Sequence, residues 1–460
     1  MWRRLDYLRF DDLPLLARGN YAAELRHTAL FGVVAGTVEG GFVAIVAAKT
    51  FNASAALTFA VWAIPAVCNV LNLAWSVVLR GRRRVPAYAL LLTCALLATA
   101  SIAFTPAGTV GGAALFAAQL AACHLFLSPL ITLRTTMWQS NYPHTHRARI
   151  TGRLTRVRVL VALLTGIGLS RLFDWEPATY RFVFPVVAGL GLLSLWPLRR
   201  LRVRGERREQ RVRRSRRTAR IAPLGRFGHG LREAVSILRS DRLYARYLGA
   251  QFLLGSANFF TEPLLISVVT KQFELGYLWS TALITGIPTI VMLLGIRYWA
   301  PLFDRVGILR FRIVNSAMWL LSFVGTTLAL LLSAAGGPSV LWVVLGLLVL
   351  ARVFTGLGNG GGLLAWNLGH LEFARPAQTE LYMGVHVALT GLRALLMPAC
   401  ALLVSNAIGT GAFAVSIALA GAAHLLFRRM TDRSPTAAPV PGVTPGADDG
   451  PPAASARSAH

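Results

Sequence analysis

Apolar residues along this chain fall in long blocks separated by short polar seams rich in arginine. Twelve blocks stand out, at 28–48, 56–79, 85–106, 110–135, 157–173, 180–198, 248–270, 277–299, 313–333, 339–365, 381–404 and 409–427. Each is close to the ~20 residues that carry an α-helix across a bilayer core of roughly 30 Å. The pattern predicts an all-α polytopic membrane protein with twelve transmembrane helices in two six-helix bundles. The corresponding division is a cytoplasmic N-terminal segment (1–27), a first bundle (28–198), an arginine-rich central loop (199–247), a second bundle (248–428) and a disordered tail (429–460). Residues Gly205 to Arg220 hold eight arginines against two glutamates with little apolar surface to bury, which predicts a flexible tether. The tail is rich in Pro, Ala and Gly.

Composition agrees. Of 460 residues 55% are hydrophobic and 14% charged, and the mean hydropathy is +0.56. A single soluble domain, a disordered chain and a disulfide scaffold are excluded. The net charge of +28 would fit a nucleic-acid binder, but its distribution argues otherwise. With the N-terminus inside, cytoplasmic segments and adjoining span ends hold 41 of the 47 basic residues and external ones four. Without the 17 of the central loop the ratio is still 24 to 4. Short cytoplasmic loops hold such an excess of Lys and Arg, facing a leaflet rich in anionic lipid. Both termini are therefore expected in the cytoplasm, with no nucleic-acid partner. All basic residues but Lys49 and Lys271 are arginine, as in a GC-rich bacterial genome, so a bacterial inner membrane is expected. The start shows no cleavable signal peptide.

Few residues carry catalytic or cofactor chemistry. Cys68, Cys94, Cys123 and Cys400 lie inside apolar blocks without CxxC spacing and read as small buried fillers. The run Gly356–Gly362 contains GxGxxG but follows no strand, so it reads as close helix packing or a flexible stretch and not as a dinucleotide loop. No Ser/His/Asp set, paired catalytic carboxylates or HExxH helix occurs. Neither an enzyme nor a cofactor or metal is expected.

The two halves resemble each other. Glu39, Lys49-Thr50-Phe51 and Ile64-Pro65 recur as Glu262, Lys271-Gln272-Phe273 and Ile287-Pro288, an offset of 223 for both Glu and Pro. Trp138-Gln139 precedes Arg147 by nine residues, as Trp366-Asn367 precedes Arg375, an offset of 228. Duplicated six-helix halves about an axis along the membrane normal are a known transporter architecture. Between blocks 8 and 9 the chain reads Asp304-Arg305-Val306-Gly307-Ile308-Leu309-Arg310, which resembles the Asp-Arg-x-Gly-x-x-Arg loop motif of the major facilitator superfamily. The equivalent segment of the first half, Arg80-Gly81-Arg82-Arg83-Arg84, lacks the acidic residue. The resemblance implies that Asp304, Arg305 and Arg310 help hold an outward-open state, and that spans 1, 4, 7 and 10 line a central cavity. A Gly-Pro-x-x-Gly antiporter cluster in span 5 is absent.

Each of those four spans has one ionisable residue near its middle: Glu39, His124, Glu262 and Arg352. Charge at mid-membrane costs at least about 2.5–3.5 kcal/mol, so such residues pair or line a wet pathway. Span 7 sets Gln251, Asn258 and Glu262 on one face, and span 11 does the same with Tyr382, His386, Thr390 and Arg393. An unpaired carboxylate in such a setting favours its protonated form and one beside an arginine its ionised form, which suits a proton-linked switch at Glu39 or Glu262. Arg352, with His124, then holds either an anionic substrate group or the carboxylates. The alternative is a structural ion pair that keeps the halves in register. The expected function is secondary active transport of a small solute by alternating access, by a monomer. The competing reading is a transporter-derived sensor or assembly protein. Reporter fusions after Arg200 and after Gly446 are expected to report cytoplasm, and an external signal from either overturns the topology.

Overall fold

The computed structural model describes residues 13–71, 82–206, 235–336, 340–373 and 379–432, with 75 and 79. Each of the twelve blocks contains helix. In the first half α1 is Leu15–Val38 followed after a break by Gly41–Lys49, α2 is Ala55–Val70, α3 Arg84–Ser101, α4 Val110–Asn141, α5 His144–Trp175, and α6 Tyr180–Leu193 with Leu195–Arg199. In the second half α7 is Arg242–Ser267, extended by a π-turn Val268–Gln272. α8 spans 277–306 and α9 spans 308–336, joined at Gly307. α10 is Leu341–Leu368, α11 Thr379–Ile408 and α12 Phe413–Asp432. No strand occurs among the described residues.

Eight stretches are long and apolar enough to cross a bilayer on their own, and the bent α1 makes nine. One of the eight, Val385–Asp432, contains both α11 and α12. The remaining two fall short for separate reasons. α2 has only 16 described residues; its block runs on into positions that mostly lie outside the described set. α5 carries Arg147, Arg149, Arg153, Arg156 and Arg158 in its first half. Helices α1 and α5 begin thirteen residues ahead of their apolar blocks (15 against 28, 144 against 157) because these extra turns bury a common face, with Leu13, Ala17 and Tyr21 against Tyr142, Ile150 and Leu154.

The duplication is visible in the packing. α1 packs on α5 and α6, and α3 on α4 and α6; six helices later α7 packs on α11 and α12, and α9 on α10 and α12. Between the halves α2 meets α11 and α5 meets α8, two contacts that a twofold exchange of the halves interconverts. Exposed Phe104, Trp175, Trp279 and Trp342 ring one end, and Trp196 and Tyr298 the other, as interfacial aromatic belts do. The chain is a multi-pass membrane protein.

At the end remote from the termini the halves are sealed by polar bonds. Lys49 Nζ donates to the Leu275 carbonyl (2.8 Å) and Lys271 Nζ to that of Ala53 (2.7 Å). Asp174 accepts from the backbone N–H groups of Tyr277 (2.5 Å) and Leu278 (2.8 Å). Thr50 bonds the Tyr277 hydroxyl and Ser170 bonds Thr281. The two lysines that the charge count left outside are thus the repeat-related clasps of this seal.

At the other end, the start of the central loop is tied to the first half. Glu206 accepts from the Arg84 backbone N–H (2.7 Å), and Asn20 exchanges bonds with Arg202. Most of the predicted tether (205–220) and tail (429–460) lies outside the described residues; of the tail, 429–432 are described and close α12 as helix rather than disorder. Cys68 and Cys123 are buried as expected; Cys94 is half-buried and Cys400 exposed, because apolar residues of a membrane helix can face lipid as well as core.

The glycine run is regular helix inside α10, and it serves close approach rather than flexibility. A Cβ at Gly356 would lie 2.6 Å from Val291 Cβ and 2.7 Å from the Pro288 carbonyl, and one at Gly358 2.8 Å from the Trp319 ring. At Gly307, φ is +67°, so the glycine of the loop motif is where the chain turns from α8 into α9. Because the Pro288 carbonyl cannot yield, Gly356→Ala is expected to lower the melting temperature by several degrees, about 1–3 kcal/mol of overpacking. Light-scattering melts of purified protein check this.

Candidate functional site

Each half holds a polar cavity: the first is built on a break in regular helix, the second lies between regular helices. In the first half α1 is interrupted at Glu39-Gly40, where Gly40 has φ of +76°. The interruption frees the Val38 carbonyl, which accepts from Nε2 of His124 on α4 at 2.8 Å. It also turns Glu39 into a cavity of about 410 Å³, where it pairs with Arg158 of α5 at 2.5 Å, each side chain about one-third exposed. Asn69, His124 and Arg134 line the same space. Behind it, buried Glu24 accepts from Tyr142 (2.6 Å) and from the Trp138 indole N–H (3.0 and 3.1 Å). Arg134 donates to Thr28 (2.8 Å) and lies over the Trp138 ring. The repeat landmark Trp138 is therefore a bridge between a buried acid and a cavity arginine.

The second half treats its equivalent glutamate differently. Glu262 is buried and takes a two-pronged bond from Arg352 of α10, Nη1 to Oε1 at 2.7 Å and Nη2 to Oε2 at 3.2 Å. Arg352 also donates from Nε to the Leu283 carbonyl (3.0 Å) and from Nη2 to that of Ile284 (2.6 Å). Those carbonyls are available for a local reason. Residues Ala282–Gly286 form a π-turn in which the Ile287 N–H reaches back to Ala282, skipping Leu283, and the next residue, Pro288, has no N–H to give. The repeat's Ile-Pro pair is thus part of an arginine socket. His124 and Arg352 do not meet: His124 holds the α1 break and Arg352 holds Glu262.

A second cavity of about 280 Å³ lies among α7, α8, α9, α10 and α11. Gln251, Asn258 and Arg393, predicted from the faces of α7 and α11, line it together with Asn359 and Arg312. Glu262, on the same sequence face as Asn258, is not among its lining residues. Further along α11, His386 is buried with its ring 5.6 Å from Trp366, and Tyr382 donates to Asp241 (2.9 Å). Arg305 and Arg310 of the loop motif are exposed, and the side chain of Asp304 lies outside the described residues.

Sequence reasoning missed Arg134, Arg158 and Arg312. All three had been counted as solvated topology determinants at span ends. Helical register marks one of them, Arg312, which lies three residues before Asn315 on one face of α9; Arg134 and Arg158 carry no such signal.

No protein-family model matches the chain, and no curated protein matches it in sequence. Solved structures do match. The nucleoside transporter NupG superposes with a TM-score of 0.60 at 15% identity, over 91% of this chain and 99% of that one. A D-xylose-proton symporter gives 0.64 at 13%, over 90% and 97%. A bacterial homologue of the iron transporter ferroportin, in an inward-facing state, gives 0.61 at 14%, over 91% and 99%. The chain thus has the major facilitator fold, and these matching proteins are membrane transporters, not enzymes.

Removing one partner of a buried ion pair strands the other charge, at about 3–5 kcal/mol. Glu262→Gln and Arg352→Gln are each expected to lower thermal stability strongly. The double variant should be less damaged than the sum of the two; simple additivity in a thermal double-mutant cycle overturns the coupling.

Proposed function

We propose that the protein is a secondary active transporter that moves a small solute across a bacterial inner membrane by alternating access. The observation that carries this reading is the asymmetry between ends: polar clasps join the halves at one end, while each half holds a cavity lined by arginine. With both termini cytoplasmic, as the arginine distribution supports, the sealed end is external and this conformation is inward-facing. The exposed Arg305 and Arg310 then fit a loop that engages, with Asp304, in the opposite state.

Of the two repeat-related glutamates, Glu39 suits proton coupling. It faces a cavity and has one arginine partner, whereas Glu262 is locked in a socket. When solute or closure draws Arg158 away, Glu39 loses its counter-charge, and in the proposed cycle a proton takes the arginine's place. Glu262 and Arg352 then serve as the rigid core of the second half, and His124 keeps the α1 break in place.

Two experiments test this in proteoliposomes loaded with labelled metabolite pools. A disulfide between Ser170→Cys and Thr281→Cys, short side chains that touch across the external seal at 2.7 Å, should stop transport, and reduction should restore it. Persistent transport in the cross-linked protein rules out opening at that end. Glu39→Gln is expected to keep solute exchange but lose accumulation driven by a proton gradient. Normal accumulation by that variant across roughly pH 6 to 8 removes Glu39 as the coupling group.

A further inference from the structure

The second-half cavity has an electrostatic imbalance that the fold does not relieve. Two arginines line it, Arg312 from α9 and Arg393 from α11, and no carboxylate is among its lining residues. Both are almost fully buried, at 1% and 6% relative exposure. Their hydrogen bonds are incomplete. Arg312 donates from Nη1 to Asn315 (2.8 Å), but its Nε and Nη2 have no partner. Arg393 donates to the Gln251 carbonyl (2.9 Å) and to Thr390 (3.2 Å), while its Nε has none. Arg352, one helix away in the same half, makes four hydrogen bonds, so the fold can satisfy a buried guanidinium where the pairing is structural.

The free donors are held in place by dedicated packing. Asn315, which orients Arg312, itself donates to the Gly358 carbonyl at 2.8 Å, and a Cβ at Gly361 would come 2.5 Å from its amide nitrogen. The Arg393 guanidinium lies over Gly255 of α7, where a Cβ would meet Nη1 at 2.0 Å, and 5.7 Å above the Phe259 ring. Stranding buried N–H donors and two like charges is costly; an oxyanion entering the cavity removes both penalties. The rest of the lining supplies the amides of Gln251, Asn258 and Asn359 and the apolar surfaces of Phe259, Met292, Trp319 and Trp366. At roughly 30 Å³ per water, the cavity holds about nine waters, the bulk of one ring with a single charged group.

We propose that Arg312 and Arg393 form the recognition site for a small organic oxyanion, a carboxylate or phosphate on an apolar or aromatic body, bound in the second half of the transporter. This rests on the transport reading for its physiological role but not for its test. The two guanidiniums grip the oxyanion by forked N–H···O⁻ bonds, the amides hold its polar rim, and the aromatic residues pack its body.

The test is equilibrium binding to the purified full chain, read by quenching of the tryptophans that line the cavity and by thermal shift. Benzoate and phenyl phosphate probe the two oxyanion types; benzyl alcohol and benzylamine are the neutral and cationic controls. At least one anion should bind saturably and neither control should. Arg312→Gln and Arg393→Gln are each expected to weaken binding about tenfold or more, while the ligand-free melting temperature holds or rises because an unpaired buried charge is gone. Should both glutamine variants fail to fold, Arg393→Lys, which keeps the charge without the fork, and Gly255→Ala, which displaces the guanidinium, should also weaken anion binding. Failure of both anions to saturate at about 50 mM, equal binding of benzyl alcohol, or unchanged anion binding in the folded variants overturns the site. Saturable anion binding by a protein that moves no solute keeps this site and removes the transport reading; proton-driven transport of a neutral solute without anion binding does the reverse.

Discussion

A guanidinium inside a bilayer has to be met by acceptors that water would otherwise supply, and much of this molecule is organised by that requirement. Arg352 shows the full solution. A carboxylate from α7 and two carbonyls from α8 surround it, and those carbonyls exist only because a π-turn and Pro288 withdraw the helix's own donors. The irregular backbone at that depth is not a flaw in the helix: it is half of the ion-pair socket, and it is tolerated because it lies within the protein.

The same π-turn also faces the other half. A Cβ at Gly41, just past the α1 break, would meet Ile284 Cγ2 at 2.5 Å and Thr285 at 2.7 Å. The two irregular segments therefore pack on each other, with Glu39 on one side and Arg352 on the other. Equivalent glutamates of an internal duplication have diverged into different physical roles. Glu39 reaches across to α5 within an accessible cavity, and Glu262 reaches to α10 inside the core.

The three kinds of arginine differ in how they are satisfied. Arg352 is saturated, Arg134 and Arg158 have partners at the edge of a cavity, and Arg312 and Arg393 keep donors free. Small residues decide this by controlling distance. Gly358 and Gly361 bring α10 close enough for Asn315 to aim Arg312, and Gly255 lets Arg393 lie flat on α7. Side chains of ordinary size at these positions would hold the helices apart and fill the space that the guanidiniums occupy.

Hydropathy and arginine spacing by themselves determined the membrane class, the twelve helical blocks, the duplicated halves and the faces carrying Asn258 and Arg393. These are legible because burial in lipid acts on composition over some 20 residues, and helical register acts on spacing over a few. Only the tertiary structure decided that Glu262 rather than Glu39 is locked to Arg352, that His124 holds a backbone carbonyl, and that Arg134, Arg158 and Arg312 belong to the interior and not to the membrane surface. A charge count assigns every arginine near a span end to water. Whether it stays there depends on which neighbouring helix offers an acceptor, and that is a matter of distances between segments hundreds of residues apart.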